Sequence, residues 1–278
     1  MCLLVELAHG GETVTADRLF PDKNLEAAVR RYVFEKRDND KPLTEEDVRN
    51  ISTIESKAKK DDEASRIKDL RGLDKCKSLA LVDLEHHAIT DLTPLGGLKR
   101  LQSLNLAGNR ISELGPLSDV PALQYLQLED NQISDLAPLA KLQNLNALYL
   151  SRNKIEDISP LAGFKKLWSL YLEGNQVRDL KPLTELKWLS SLDLRSNQIS
   201  DLEPLAGLTE LSYLMLDNNQ ITDLTVLVEM ATKDDKGEKR FAPFWRIYLS
   251  GNALGDAART AQIEQLKKFG TRVEWKAK

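Results

Sequence analysis

One asparagine returns every 22 residues through the middle of this chain, at Asn109, Asn131, Asn153, Asn175, Asn197 and Asn219. His87 fills the same position one period earlier, and Asn252 follows Asn219 by 33 residues, which is one period with 11 residues inserted. A fixed period of this length is the sequence mark of repeat proteins, in which each unit packs only against its neighbours. The chain is therefore predicted to form an elongated solenoid.

Within one repeat, leucines alternate with polar residues and then continue at irregular spacing. Leu104 and Leu106 have polar or small neighbours, so they are predicted on the inner side of a short strand. The other apolar positions of this unit lie in turns and are predicted to point to the same core: Leu98, Leu101, Ile111, Leu114 and Leu117. Each repeat supplies about seven such side chains, each worth about 1.5–3 kcal/mol when buried. A single unit cannot enclose them, so stacking completes the core.

Two polar columns accompany the leucines. The asparagine amide can donate and accept at once, so a column of asparagines is predicted to satisfy the backbone groups left free where each strand ends. The second column is acidic, with proline three residues later in six repeats, and it is predicted to cap the following turn: Asp91, Glu113, Asp135, Asp157, Asp179, Asp201 and Asp223. Single acids about 4.8 Å apart do not surround an ion, so a calcium site is not predicted.

The domain organisation follows from where the period begins and ends. Residues 1–17 are a short apolar leader with Glu6 inside it, either disordered or the remnant of an export signal. A helical cap is predicted over 18–66, with Asp22 and Thr44 as helix N-caps.

Repeats are predicted over 67–255 with an insertion at 233–243, and a helix and a closing strand form a second cap over 256–278. The strand pattern is expected to resume with Phe244, and Gly270 is expected to end the last helix. Because the outer faces of the terminal units meet water, both ends must differ from internal repeats. All four segments are expected to form one continuous domain.

The pattern LxxLxLxxNxIxDLxPLxxL resembles the 22-residue subtype of leucine-rich repeat, found in bacterial internalins and in phosphatase-regulating proteins of eukaryotes. The segments 19–29, 43–48 and 67–73 also resemble the internalin helical cap. Together the resemblance covers about 18–255 and implies bacterial origin. It implies an α/β repeat solenoid, a curved stack with a parallel sheet on its concave face, a helical N-terminal cap and a helix–strand C-terminal cap. Internalins differ in having a wall-anchor motif and an immunoglobulin-like module after the repeats, which this sequence does not show.

Function is expected on the strand residues that face outward on the concave sheet. Five of the six tyrosines occupy these positions, with acids beside them, and this composition is typical of protein-binding surfaces. The alternative is that tyrosine merely suits a half-exposed strand, but the core positions contain almost no tyrosine. Trp168 and Trp245 are placed at the sheet edge. The predicted partner-binding residues are Tyr125, Gln127, Glu129, Tyr149, Tyr171, Glu173, Asp193, Arg195, Tyr213, Met215, Asp217, Arg246 and Tyr248.

Several other functions find no support in the sequence. The net charge of −4 and pI of about 5.6 argue against a nucleic-acid partner, which requires a basic stripe. His86 and His87 lie near Asp83 and Glu85, but His87 takes the inward asparagine position, so the two imidazoles are expected to diverge. No nucleophile–histidine arrangement or glycine-rich phosphate loop is present. Cys76 is expected to be a buried small hydrophobe. Catalysis, cofactors and metal ions are not predicted, and neither is a membrane span.

The leading hypothesis is a monomeric, non-enzymatic module that binds a protein partner of unknown identity through its concave face. A secreted, periplasmic or cell-surface location is favoured over a cytoplasmic one. An alternative is a cytoplasmic regulatory or scaffold subunit of a phosphatase or kinase, suggested by the repeat subtype. A third is a self-associating protein that uses the insertion at 233–240 or the solenoid edge.

Overall fold

The computed structural model describes residues 18–58 and 62–276, so the predicted leader at 1–17 lies outside the described residues. Ten parallel strands form one curved, unclosed sheet in which every strand pairs with its neighbours in sequence. They are β1 (Thr53–Glu55), β2 (Leu81–Asp83), β3 (Ser103–Asn105), β4 (Tyr125–Gln127), β5 (Ala147–Tyr149), β6 (Ser169–Tyr171), β7 (Ser191–Asp193), β8 (Tyr213–Met215), β9 (Arg246–Tyr248) and β10 (Arg272–Glu274). The predicted solenoid with a parallel sheet is confirmed.

Short 3₁₀ turns return the chain from one strand to the next. Seven of the described ones contain proline in the first two positions: Thr93–Leu95, Gly115–Asp119, Ala137–Lys141, Ser159–Gly163, Lys181–Leu183, Glu203–Leu205 and Ala242–Phe244. The carboxylate of Asp135 accepts the N–H of Ala137 at 2.8 Å, and five other aspartates of the acidic column do the same two residues ahead. The predicted capping role of these aspartates is confirmed. Glu113 has no such bond in the described part of the chain, because its longer side chain does not close the same ring.

The core is continuous from one cap to the other, and the asparagine column runs along it. Asn153 shows the arrangement: its amide donates to the carbonyls of Leu128 and Leu150 at 2.9 and 3.0 Å, and its Oδ1 accepts the N–H of Ile133 at 3.0 Å. Each asparagine thus joins two successive repeats through three buried backbone groups, which confirms its predicted structural role. We call this column, from position 87 to position 252, the asparagine ladder.

His87 is the first member of this ladder. Its Nδ1 accepts the N–H of Ile67 at 3.1 Å, and its Nε2 lies 3.0 Å from the carbonyl of Ser56, to which it donates as the neutral tautomer. The residue before each ladder position has a positive φ, near 60° at His86. With this left-handed backbone conformation, the side chain of one residue points to solvent and the side chain of the next points into the core. His86 is therefore exposed while His87 is buried.

The N-terminal cap begins with α1 (Lys23–Arg30) and α2 (Glu45–Val48). Asp22 caps α1 by accepting two N–H groups, and its second oxygen accepts the N–H of Lys68 at 2.8 Å, which ties the cap to the first repeat. Thr44 and Asp47 form a capping box on α2. Both predicted helix starts are confirmed.

The insertion changes one repeat and corrects two sequence predictions. Helix α3 (Thr225–Lys236) replaces the usual 3₁₀ turn, and the buried carboxylate of Asp234 accepts three N–H groups at positions 240–242. This loop places the side chains of Ala242 and Trp245 in the core. Trp245 is therefore fully buried, edge-on to Phe241 at 5.2 Å, and does not lie at the sheet edge. Phe244, which was expected to resume the strand pattern, is 70% exposed.

The C-terminal cap closes the stack. A π-helical turn (Ala258–Gln262) runs into α4 (Ile263–Lys268), which buries Ile263 and Leu266. Gly270, with φ of +87°, ends the helix, and β10 then pairs with β9. The predicted helix–strand cap is confirmed.

Candidate functional site

Strand pairing arranges the outward side chains of the concave face in columns. The parallel strands pair without a shift in register. Ser103, Tyr125, Ala147 and Ser169 therefore follow one another in one column, and Gln127 and Tyr149 are neighbours in the next column. Neighbours within a column are separated by one strand spacing, about 4.8 Å. A third column directly follows the strands and includes Glu129, Glu173, Arg195 and Asp217. The predicted contact residues thus come from three adjacent columns of one face.

Three tyrosines on β4, β5 and β6 form a continuous row, which we call the tyrosine ladder: Tyr125, Tyr149 and Tyr171. The first two rings are 5.3 Å apart and tilted by 50°, and the second pair is stacked at 4.8 Å and 22°. The hydroxyl of Tyr171 hydrogen-bonds to that of Ser191 at 3.0 Å. Burial, reinforced by Tyr125, raises the pKa of Tyr149 to about 12, so its phenol stays neutral. The ladder is a continuous aromatic strip in which the phenol of Tyr149 stays neutral.

A second aromatic area lies on β8 and β9. Tyr213 is 40% exposed, and the guanidinium of Arg246 stands 5.3 Å from its ring centroid, a cation–π arrangement. Met215 and Tyr248 pair across the same two strands and are half-buried. One repeat, that of β7, has small or charged outward residues and separates this area from the ring of Tyr171.

An ion-pair cluster occupies the space between the two aromatic areas. Arg195 donates from Nε and Nη2 to Asp193 at 2.9 and 2.6 Å, and Nη2 also reaches Glu173 at 3.2 Å. Asp193 is fully buried, since the guanidinium folds back over the carboxylate two residues earlier. This corrects the prediction that Asp193 contacts a partner directly, because only Arg195 and Glu173 are accessible there.

Glu129 has one carboxylate oxygen, the buried Oε2, that the protein leaves without a hydrogen-bond partner among the described residues. Burial raises the pKa of this carboxyl group, and hydrogen bonds from its own backbone N–H and from Gln127, together with the charge of Arg152, oppose the shift without cancelling it. Arg152 is held by Asp130 through two contacts of 2.6 Å and also approaches Glu173 at 3.5 Å. Glu129 in turn contributes to the raised pKa of Tyr125 and Tyr149, so it lies in the electrostatic neighbourhood of the tyrosine ladder.

The outward positions on β2 and β3 have a different character. The amide of Asn105 donates to Asp83 at 3.1 Å and to Glu85 at 3.4 Å, and Glu85 also pairs with Lys57. The Oδ1 of Asn105 accepts the N–H of Ala107 at 3.1 Å. These polar groups satisfy one another within the protein.

One exposed aromatic residue was not among the sequence predictions. Trp188 is 66% exposed and lies near Trp168, which is 58% exposed as its predicted edge position implies. The sequence contains a signal for the exposure of Trp188, because this residue occupies a repeat position that holds Arg100, Lys166 and Glu210 in other repeats. A tryptophan in a column of charged, solvated residues marks an exposed ring.

Residues 18–58 and 62–276 include one cysteine, which lies in the core. Cys76 is buried, which raises the pKa of its thiol to about 12. In that same part of the chain, no three His, Cys, Asp or Glu side chains come together as metal ligands. None of the described helices combines the length and apolarity required to cross a membrane.

Comparison with known proteins identifies the class. Family models for leucine-rich repeats match residues 99–141 and 187–229 in two copies, and a second such model matches 121–177. No curated protein matches the chain. The fold and these matches define a leucine-rich-repeat protein.

Solved structures narrow the family. Internalin C2 from Listeria monocytogenes is 35% identical with a TM-score of 0.71, covering 76% of this chain and 91% of its own. Internalin inlF from the same organism is 26% identical with a TM-score of 0.60, covering 93% and 91%. The ectodomain of the Arabidopsis thaliana receptor kinase GASSHO1/SCHENGEN3 shares the fold at 22% identity and a TM-score of 0.59, covering 76% of this chain and 26% of its own. The chain belongs to the internalin family of leucine-rich-repeat proteins.

Proposed function

We propose that this chain is a non-enzymatic protein-binding module that recognises a protein partner through its concave face. The observation that carries the proposal is the tyrosine ladder with the unpartnered oxygen of Glu129 in its electrostatic neighbourhood. A partner can bury the aromatic strip and place opposite charge beside the carboxylate whose ionised form burial disfavours.

The tyrosine ladder supplies the apolar part of this interaction. Tyrosine is enriched among interface hot spots, where truncation costs about 2 kcal/mol or more. Stacking in the free protein already restricts the three rings, so less rotamer entropy is lost when a partner covers them. The hydroxyl groups remain neutral donors and acceptors at the rim of the strip.

The charges around the ladder define the partner's chemistry. One oxygen of Glu129 is buried without a hydrogen-bond partner among the described residues, and Glu173 shares Arg152 and Arg195 with other acids. A lysine or arginine of the partner placed near Glu129 stabilises its ionised form, which burial disfavours. The partner patch is therefore basic or rich in hydrogen-bond donors.

Structural relatives support the proposal at the level of the fold. The plant receptor ectodomain was solved in complex with CASPARIAN STRIP INTEGRITY FACTOR 2, and another leucine-rich-repeat neighbour, the plant peptide hormone receptor RGFR1, was solved with RGF2. Both share the solenoid fold at 21–22% identity, and both hold a ligand.

The test compares two aromatic double variants. A partner captured from the native host by the wild-type protein is titrated against the Tyr149→Ala/Tyr171→Ala variant. Binding is expected to weaken at least 100-fold, since each tenfold step equals about 1.4 kcal/mol. The matched control is Tyr32→Ala/Phe34→Ala, which removes two exposed rings from the cap, beside β1 and three strands away from the start of the tyrosine ladder. Unchanged capture by the first variant, or equal loss in both, would refute the proposal. Capture of a phosphatase or kinase catalytic subunit would instead support the scaffold alternative.

A further inference from the structure

A depression joins the two aromatic areas of the concave face and continues over the edge of the sheet at which the strands begin. Its inner part, of about 360 Å³, is lined by Tyr171 of the tyrosine ladder and by Tyr213 and Met215 of the second aromatic area. Its outer part, of about 470 Å³, reaches Trp188. Trp168 lines both parts, so they form one surface. We call this surface the edge cleft.

The edge cleft concentrates exposed rings. Trp168, Trp188 and Tyr213 are 58%, 66% and 40% exposed, and they are half of the six large hydrophobic side chains that are exposed in the described parts of the chain. Small serine side chains line the space between them and leave the rings uncovered: Ser169, Ser190, Ser191 and Ser212. Exposed rings gathered on one surface mark a place that another molecule covers.

The cations beside the edge cleft have no carboxylate partner among the residues that the structure describes. The ammonium of Lys166 donates to the neutral amide of Asn144 at 2.8 Å, which leaves its charge uncompensated. The guanidinium of Arg246 stands 5.3 Å from the centroid of a tyrosine ring that lines the cleft. Glu210, the acid in the lining, is already paired with Arg240. The cleft is therefore an aromatic surface with a positive edge.

The other edge of the sheet, where the strands end, carries the opposite charge. Three acids lie two residues after β4, β6 and β8: Glu129, Glu173 and Asp217. The arginines at this edge are held by acids of the protein, Arg152 by Asp130 and Arg195 by Asp193. Since the strands are parallel, their beginnings share one edge of the sheet and their ends share the other. The aromatic surface thus lies between a positive edge and a negative edge.

We propose that the interface with the protein partner extends from the tyrosine ladder through the edge cleft, and that the partner segment in the cleft presents acidic and apolar side chains. This inference rests on the proposed function, because it extends the same binding surface. The apolar side chains cover the rings of Trp168 and Trp188. The acidic group faces the ammonium of Lys166 and the guanidinium of Arg246.

The two charged edges also fix how the partner lies on the sheet. Complementary charges at an interface contribute more to orientation and association rate than to affinity. The partner has a basic group toward Glu129, where the strands end, and an acidic group toward Lys166, where they begin. Reversing the partner would place like charges against each other at both edges, so one direction is favoured.

Three matched peptides test the chemistry assigned to the edge cleft. The acidic peptide is acetylated and amidated (Asp-Phe-Gly)₃, and in the other two peptides lysine or asparagine replaces each aspartate. Each of the four tryptophans gives one indole N–H resonance in a ¹H–¹⁵N spectrum. The acidic peptide is expected to shift the resonances of Trp168 and Trp188 saturably and to leave that of the buried Trp245 unchanged. The lysine peptide is expected to bind at least tenfold more weakly, and salt at about 0.5 M is expected to remove most of this difference.

Variants locate the acidic peptide in the edge cleft. Trp168→Ala is expected to weaken its binding at least tenfold by calorimetry, and Lys166→Gln is expected to weaken it about threefold or more. The matched controls are Phe34→Ala, which removes an exposed ring of the cap, and Lys141→Gln, which removes an exposed lysine in a returning turn. Both controls should bind the acidic peptide as the wild type does. All four side chains are exposed, so their replacement leaves the core intact.

A second measurement tests whether the same partner covers the edge cleft. The host partner used to test the proposed function is titrated against Trp168→Ala/Trp188→Ala, and a loss of affinity of at least tenfold is expected. Unchanged affinity in this variant, beside the expected loss in Tyr149→Ala/Tyr171→Ala, would overturn the extension and leave the proposed function standing. Unchanged affinity in the tyrosine variant would refute the proposed function itself.

Three results with the peptides would overturn the chemistry assigned to the edge cleft. These are no indole shift of Trp168 or Trp188 at millimolar acidic peptide, equal binding of the lysine peptide, and unchanged binding of the acidic peptide by Lys166→Gln. The first would show that the rings do not bind such a segment, and the other two would show that the positive edge does not select its charge.

Discussion

The concave face carries two contrasting halves on one scaffold. The outward positions on β2 and β3, the polar half, hold Asp83, Glu85 and Asn105, which hydrogen-bond to one another. The outward positions from β4 to β9, the aromatic half, hold the tyrosine ladder and the unpartnered oxygen of Glu129. Strand length, register and core leucines are the same in both. The repeat pattern thus fixes where the outward residues stand but not whether they are satisfied.

This difference determines what each half can do. Covering the polar half would remove water from groups that already have partners, and little would be gained in return. Covering the aromatic half buries rings and can supply the partner that Glu129 lacks. The contrast predicts that changes to satisfied groups alter stability, whereas changes to unsatisfied groups alter binding.

The largest expected effect concerns a satisfied cluster within the aromatic half. Replacing Arg195 with alanine removes the main partner of the Asp193 carboxylate together with the guanidinium that covers it. The charge-assisted hydrogen bonds are lost while the uncovered carboxylate regains water, so the free energy of unfolding is expected to fall by about 2 kcal/mol, measured by chemical denaturation. Arg152→Ala is the matched control, because Asp130 beneath it is exposed, and it is expected to cost under about 1 kcal/mol. Similar losses in both variants would show that burial of the acid is unimportant.

The next effect lies in the polar half. Asn105→Ala removes the donor shared by Asp83 and Glu85 and the acceptor of the Ala107 N–H. The expected loss is about 1–2 kcal/mol of unfolding free energy with no change in partner affinity. Ser103→Ala, on the same strand, is the control and should be neutral in both measurements. A loss of affinity in Asn105→Ala would mean that the polar half also belongs to the binding surface.

The scaffold could be predicted from sequence because it depends on two strict periods. The period of 22 defined the ladder and the turns, and the alternation along each strand assigned every outward column. The structural role of position 87 was predictable although the residue is a histidine, since a neutral imidazole has one acceptor and one donor.

The remaining details depend on pairing between side chains, which no period encodes. Alternation placed Asp193 outward, but the position of the Arg195 guanidinium over it decides its burial. The reversed exposure of Phe244 and Trp245 follows from the Asp234 loop, which breaks the repeat. The Oε2 of Glu129 lacks a partner among the described residues while Arg152 binds Asp130, a choice among several nearby acids.

A smaller effect is expected at Glu129 itself, and it has opposite signs for stability and binding. Burial raises the pKa of this carboxyl group above the ordinary 4.5. Between 4.5 and the raised value, the folded state holds more protons than the unfolded state, so stability falls as pH rises through this window. Glu129→Gln removes the charge and is expected to raise Tm at pH 7 by about 1–3 °C while weakening partner capture.

Glu173→Gln is the control for that experiment, because Glu173 already pairs with Arg152 and Arg195. This variant is expected to lower Tm slightly. A lower Tm for Glu129→Gln as well would show that Glu129 is compensated in solution, and the contrast between the two halves would lose its clearest example.

The smallest effect concerns the first position of the asparagine ladder, at the polar end of the sheet. Burial lowers the pKa of His87 below the ordinary 6.5; Arg66 also lowers it, while the Ser56 carbonyl, Asp22 and Asp83 oppose the shift. As pH falls through 6.5, the unfolded state takes up a proton that the folded state does not, so stability decreases. Protonation of Nδ1 would also set a donor against the N–H of Ile67.

His87→Asn keeps the ladder chemistry and removes this titration. Between pH 7.5 and pH 5.5, the variant is expected to lose about 1–3 °C less in Tm than the wild type, measured by calorimetry. His86→Asn changes the exposed neighbour, whose left-handed backbone asparagine tolerates, and should behave as wild type. An unchanged pH dependence in His87→Asn would place the acid sensitivity elsewhere. A reduced pH dependence would show that position 87 is the member of the asparagine ladder that titrates, whereas the asparagines of the ladder serve both halves alike.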